Sequence, residues 1–137
     1  MTRKVISVLA GAAALATIAG AGVVFVAPVN EACAASDSTS YAEDIFPIFK
    51  GRCVGCHAAG QEGFEKSGLD LTTYEGLMKG TKFGPMVIPK DPDSSNLIWL
   101  LDWRGSVATR MPHGKKKLST CDRNAIRTWI REGAKNN

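Results

Sequence analysis

The chain has 137 residues, a formal net charge of +4 and 45% apolar residues, which is room for one domain and not comfortably for two. Past residue 34, with Arg3, Lys4 and Glu31 set aside, basic and acidic residues nearly balance. That excludes a nucleic-acid surface, which needs basic residues in strong and clustered excess.

Positions 5–27, VISVLAGAAALATIAGAGVVFVA, carry no charge; Arg3 and Lys4 precede them and Ala32-Cys33-Ala34 follows. A basic start, an apolar middle and a small-x-small site are the layout of a secretory signal. As a helix the apolar stretch would extend about 34 Å at ~1.5 Å per residue, enough to cross a hydrocarbon core of roughly 30 Å. Two readings therefore stand, a cleaved signal and a retained membrane anchor through residues 5–27. Both leave Arg3 and Lys4 cytoplasmic and place the rest outside, in the periplasm. A lipid anchor on Cys33 is disfavoured by the polar run Asn30-Glu31 before it. Residues 1–34 are thus set apart from the folded domain, 35–40 read as a polar linker, and the domain is 41–137.

The first helix is expected to begin near Ser40 or Tyr41, with Ser40 and Glu43 spaced as a capping box. Ile45, Ile48, Phe49 and Cys53 recur at three- and four-residue steps and give it one apolar face. Pro47 should kink this segment or mark its true start. Residues 58–68, rich in Gly, Ala and charge, read as loop. Thr73 is placed to cap a short helix over Tyr74 to Lys79. Gly80, Gly84, Pro85, Pro89 and Pro92 forbid a long element between 80 and 93. Asp93, Ser94 or Ser95 should cap a buried helix from Asn96 to Trp103. Ser119 or Thr120 should cap the last helix, roughly 120–132, with Ile126, Trp129 and Ile130 on its face and Gly133 at its end. There is no repeat and no strand alternation. The fold class is all-α, about four short helices joined by long loops, and loops that long need something to organise them.

Cys53-Val54-Gly55-Cys56-His57 is Cys-x-x-Cys-His, the signature of covalent haem attachment. Two thiols add across the two vinyl groups of the porphyrin, and the adjacent imidazole reaches the iron from one face. A thioredoxin-like Cys-x-x-Cys would want a strand before the motif and a helix after it. A zinc site would have to recruit Cys121 or His113 at poor spacing. One haem c, held by Cys53, Cys56 and His57, accounts for the motif best.

A second axial ligand must come from elsewhere. Met111, followed by Pro112 in a loop, is the candidate; a thioether favours Fe(II) and raises the potential relative to a second imidazole. Met78 and Met86 read as packing residues. His113 would give a bis-His haem and otherwise reads as an exposed loop residue.

Residues 44–134 resemble the planctomycete-type cytochrome c domain, a branch of the class I c-type cytochromes. The resemblance rests on Ile45-x-Pro-Ile-Phe49, Arg52-Cys-Val-Gly-Cys-His57, Ser67-Gly-Leu-Asp-Leu-Thr-Thr-Tyr-Glu-Gly76, Gly84-Pro, Pro89-x-Asp-Pro-x-x-Ser95, Arg110-Met-Pro-His-Gly-Lys-Lys116, Leu118-Ser, and Ile126-Arg-x-Trp-Ile130 before Gly133-Ala134. It implies a small cytochrome c fold around one covalently bound haem, with Met111 as distal ligand. It also implies that the first and last helices cross, Ile45, Ile48 and Phe49 against Ile126, Trp129 and Ile130. Cys121 departs from the family pattern; it reads as a small semi-buried residue or as half of a disulfide, with Cys33 or with a second chain.

The expected function is outer-sphere transfer of single electrons between redox partners, without catalysis at the haem. The alternatives are a haem-based sensor with a labile Met111 and an electron-transfer subunit of a larger periplasmic enzyme. Lys115, Lys116 and Lys117 follow Met111 and would steer an acidic partner. Trp99, Trp103, Arg104 and Arg110 are candidates to line the haem or pair with its propionates, since the Arg fork matches a carboxylate.

Overall fold

The computed structural model describes residues 38–137, so the segment read as signal or anchor lies outside the described residues. Among the described residues no helix is long and apolar enough to cross a membrane.

Ser40 opens the first helical segment as expected: its hydroxyl accepts from Glu43 N–H at 3.2 Å. The reciprocal bond comes from Asp44 rather than Glu43, which accepts from Ser40 N–H at 2.8 Å. Tyr41–Ile45 winds as a π-helical turn and passes into α1, Phe46–Arg52, with Pro47 in the first turn of α1. Pro47 thus marks where regular α geometry starts. The widened turn falls just before it, where the missing N–H and the ring disfavour tight winding.

Four further α-helices follow: α2, Glu62–Ser67; α3, Tyr74–Lys79; α4, Asn96–Leu101; and α5, Thr120–Arg131. A 3₁₀ turn, Val107–Thr109, lies between α4 and α5. Among the described residues there is no strand, only an isolated bridge between Thr81 and Gly84. Thr73 caps α3 through Gly76 N–H at 3.0 Å, and Ser119 caps α5 through Asp122 N–H at 2.9 Å.

Three elements depart from the sequence reading. The stretch 58–68 is not all loop, because α2 occupies its second half. Glu62 and Lys66, one turn apart, pair at 2.6 Å, and Gly68 at φ 74° closes the helix. Helix α4 stops at Leu101 rather than Trp103, which adopts a left-handed φ of 62°. Ser95 stands at the start of α4, yet its hydroxyl does not cap it. Fully buried, Ser95 donates to Asp91 carbonyl at 2.7 Å and accepts from Ile88 N–H at 2.9 Å, so it folds the Pro-rich loop 88–91 onto the helix.

The expected crossing of the two ends of the domain is present. Ile45, Phe49, Ile126, Trp129 and Ile130 are all buried, while Ile48 is half-buried at the margin of the same core. Leu97, Ile98 and Leu101 of α4 and Leu77 of α3 complete it. Each such side chain, fully buried, contributes about 1.5–3 kcal/mol. Tyr41 joins this core, its ring 5.5 Å from Trp129 and edge-on to Tyr74 at 5.1 Å. Burial, reinforced by the charge of Glu75, pushes the Tyr41 phenol up to about 12. The C-terminal segment returns to the start. Asn137 accepts from Ala42 N–H at 3.0 Å and Tyr41 N–H at 3.1 Å, satisfying first-turn donors that a helix leaves open.

One carboxylate ties α4 to α5. Asp102, just past α4, pairs with Arg123 at 2.8 Å and Arg127 at 2.6 Å, and with Arg104 at 3.0 Å. Partial burial pushes the Asp102 carboxyl up, but hydrogen bonds and charge from Arg123, Arg127 and Arg104 together outweigh it and hold the pKa below the usual range. A depressed folded pKa gives stability that is present above the unfolded value and lost as pH falls through the folded one. Asp102→Asn should therefore cost about 2 kcal/mol at neutral pH. The gap to wild type should close as pH drops below about 4. Urea titrations across that range check it; equal stability at pH 7 would remove Asp102 from this role.

Candidate functional site

Helix α1 delivers its C-terminus into the Cys53–His57 motif. Cys53 N–H closes the helix on Phe49 carbonyl at 2.8 Å. The chain then tightens: Cys56 N–H and His57 N–H both donate to the Cys53 carbonyl at 3.0 Å. One turn thus carries two thiols and an imidazole. Cys53 is half-buried, Cys56 is exposed, and both are free thiols. Burial pushes the Cys53 thiol up to about 11, against the pull of Arg52 and Lys115.

His57 is held from behind. Its carbonyl accepts from Leu71 N–H at 2.8 Å, and the neighbouring Cys56 carbonyl accepts from Phe64 N–H in α2 at 3.0 Å. Burial lowers the imidazole pKa, opposed by the backbone of Leu69. The neutral, ligating form is thereby favoured. Nδ1 of His57 is buried and has no hydrogen-bond partner among the described residues.

Met111 enters from the other side of the sequence. Its N–H donates to Leu100 carbonyl at 3.2 Å, its carbonyl accepts from Trp103 Nε1 at 2.8 Å, and its side chain is half-buried against the core. The loop beyond it turns back to the motif. Arg52 donates through Nη2 to Lys116 carbonyl at 2.8 Å, the Lys115 charge acts on the Cys53 thiol, and the His113 charge acts on Glu62 of α2. Met86 is buried in the core, Met78 packs against it, and His113 is exposed.

The four candidates for the haem surround separate cleanly. Arg104 is engaged by Asp102. Trp99, 39% exposed, lies against Gly105. Trp103 holds the Met111 carbonyl. Arg110 stacks over the Trp103 ring at 5.4 Å, and its Nε is buried with no hydrogen-bond partner among the described residues. Buried polar groups are nearly always paired, so the Nε of this half-buried residue is open to a further acceptor. Lys115 and Lys116 are exposed, whereas Lys117 turns inward, donating to Asp102 carbonyl at 2.7 Å with its ammonium 5.6 Å above Trp103.

Two free thiols and an imidazole on one turn, a thioether on a loop whose far end is bonded back to Arg52, and a half-buried Arg with an unpartnered Nε fit a covalently bound haem with carboxylate arms. They do not fit the rivals. Among the described residues no three His, Cys, Asp or Glu are grouped to hold a metal ion. A helix, not a strand, leads into the motif. Cys121 is disulfide-bonded, the sharper of its two readings. A cleft of about 290 Å³ lined by Ser38, Thr39, Trp129, Glu132, Lys135 and Asn137 contains none of the site residues.

Sequence reasoning missed α2 as the support beneath His57. Its signal was the Glu62/Lys66 pair at helical spacing with Gly68 just past the end.

The family model for planctomycete cytochrome C matches residues 53–112, from the first thiol to the proline after Met111. No curated protein and no solved structure matches the chain.

Trp103→Phe keeps a ring beneath Arg110 and removes the donor to Met111 carbonyl. It should cost about 1 kcal/mol in urea unfolding and speed hydrogen exchange at Met111 N–H. Unchanged exchange there would mean that the indole does not secure the loop.

Proposed function

We propose that this chain is an exported monohaem carrier passing single electrons between redox partners, a reading supported by the match of residues 53–112 to the planctomycete cytochrome C family. The observation that carries the reading is the Cys53–His57 turn, with the Met111 loop fastened back to it through Arg52 and Lys116 carbonyl.

In this reading Cys53 and Cys56 would hold the haem covalently, and His57 and Met111 would ligate its iron. Haem c supplies the one-electron couple when bound. The chain supplies the rest. The turn fixes the imidazole relative to both thiols, and Leu100 and Trp103 hold the backbone on either side of the Met111 side chain. Arg110 offers its unpaired Nε to a propionate, where the Arg fork matches a carboxylate. With His57 and Met111 both as ligands, substrate would have no iron position to enter, which favours a carrier over an enzyme. A loop tied at Met111 N–H and carbonyl also argues against a distal ligand that lets go readily, as a sensor needs. Lys115 and Lys116 supply exposed positive charge beside the motif for an acidic partner, while Lys117 is turned toward the Asp102 carbonyl. Export rests on the charge-free stretch 5–27, as cleaved signal or retained anchor.

The purified protein should exceed its polypeptide mass by one haem that survives acid-acetone extraction, and Cys53→Ser or Cys56→Ser should abolish normal attachment. Haem that extracts freely from wild type would defeat the assignment.

Met111→Ala should remove the weak far-red absorption of a ferric haem–thioether pair and open the reduced protein to carbon monoxide. It should also lower the potential by a readily measured part of the roughly 0.8 V that axial ligands span. Met78→Leu, Met86→Leu and His113→Ala should keep the band. Its loss in His113→Ala, with Met111→Ala unaffected, would transfer the distal role to His113.

A further inference from the structure

Gly63 lies in the first turn of α2, the support beneath His57. Its backbone gives no reason for glycine, since unlike Gly60 and Gly68 it does not have a positive φ. Glycine in a helix is less favourable than alanine by roughly 0.8–1 kcal/mol in interior positions, so local stability does not explain it either. Space does. A Cβ built on Gly63 would stand 2.7 Å from the Cys56 carbonyl oxygen, 3.0 Å from His57 Cε1 and 3.1 Å from His57 Nε2. Real Cβ atoms do not come within 3.0 Å of a carbonyl oxygen, and the other two contacts lie along the ring edge that contains the iron-binding nitrogen.

The surrounding bonds leave α2 little freedom to retreat. Phe64 N–H is bonded to the Cys56 carbonyl at 3.0 Å, and Ser67 Oγ donates to the Gly63 carbonyl at 2.5 Å. Gln61 N–H holds the entry to α2 on the Ala58 carbonyl at 2.9 Å, and Lys82 N–H holds its exit on the Ser67 carbonyl at 2.9 Å. A methyl group at 63 would therefore be relieved either by breaking the Phe64–Cys56 bond or by turning the imidazole, and both change how the ring is presented. By contrast, Gly51 in α1 has nothing within 4 Å of its virtual Cβ.

We propose that Gly63 is a positioning residue for the proximal ligand: the absent side chain keeps the Cε1–Nε2 edge of His57 clear and sets the angle at which the imidazole meets the iron. The proposal rests on His57 being that ligand, as in the function proposed above.

The test uses the full-length haem protein. In reduced wild type, nuclear Overhauser contacts should connect the Gly63 α-protons to His57 Hε1. Their absence would overturn the proposal whether or not any variant folds. Gly63→Ala should carry the same haem mass and keep the far-red band, because Met111 is untouched. The paramagnetically shifted resonances of its ferric haem methyls and His57 ring should move. A strained imidazole donates less to Fe(III), so the potential should rise, the reverse of Met111→Ala. The expected change is about ten-fold in the reduced-to-oxidised ratio at fixed ambient potential, from a ring forced off its rotamer. Gly51→Ala should match wild type in every readout. A Gly63→Ala protein with wild-type shifts and potential would overturn the proposal. Wild type without covalent haem would instead sink the functional reading on which it rests.

Discussion

Everything in this domain hangs on one carbonyl. The oxygen of Cys53 accepts from the N–H groups of both Cys56 and His57, and this closure places two thiols and an imidazole within a single turn. A turn so short has no rigidity of its own. It inherits rigidity from α1, whose last bond is made by Cys53 N–H, and α1 is held because the preceding turn buries Tyr41 and Ile45 against α5. The crossing of the two chain ends, far from the motif in sequence at the α5 side, is thus what orients the chemistry. The Asn137 bonds to the first helical turn serve the same purpose, since they prevent fraying at the end of the lever opposite the motif.

The Met111 loop is built by a different device. Met111 lies in irregular chain, where backbone groups have no ladder to satisfy them. Each group around it is answered individually: its N–H by Leu100, its carbonyl by the Trp103 indole, and the Asp102 carbonyl by Lys117. Asp102 then gathers Arg104, Arg123 and Arg127 on its carboxylate. A partly buried carboxylate facing several guanidinium groups is favourable only because the hydrogen bonds are numerous enough to offset desolvation. The network couples the end of α4, from which the Met111 loop is hung, to the face of α5 that supports α1. The two sides of the site share one foundation.

Which features could be read from the sequence follows from their range. The caps at Ser40, Thr73 and Ser119 are contacts over three residues, and the apolar face of α5 repeats at helical spacing; both are local and both are present as expected. The haem motif is likewise contiguous. Helix α2 escaped because six residues containing Gly63 show too little periodicity, and its stability comes from docking on the Cys56 carbonyl, a tertiary contact. Ser95 and Lys117 differ from their local patterns for the same reason. A serine before an apolar run suits a cap, and a lysine in a basic run suits solvent, but each side chain answers a carbonyl brought near only by the fold. Trp103 was extended into α4 because tryptophan continues an apolar pattern; its left-handed φ instead turns the indole toward the Met111 carbonyl.

Helices of six or seven residues, which is what α1 to α4 are, do not persist alone in water, where about 12–15 residues are marginal even for good helix formers. Only α5, with 12 residues, approaches that length. The fold therefore depends on tertiary contacts, and a domain of this size has a modest core. Arg110 Nε and His57 Nδ1, buried without hydrogen-bond partners among the described residues, are costs that an apolar core alone would not leave standing. A covalent haem would offset the first, since its carboxylates could engage Arg110 Nε, and it would use the imidazole that the turn presents. Covalent attachment would keep that stabilisation from varying with free haem concentration, as it would for a dissociable ligand. Short helices and long loops are then no weakness: the chain needs only enough order of its own to present Cys53, Cys56 and His57 on one turn.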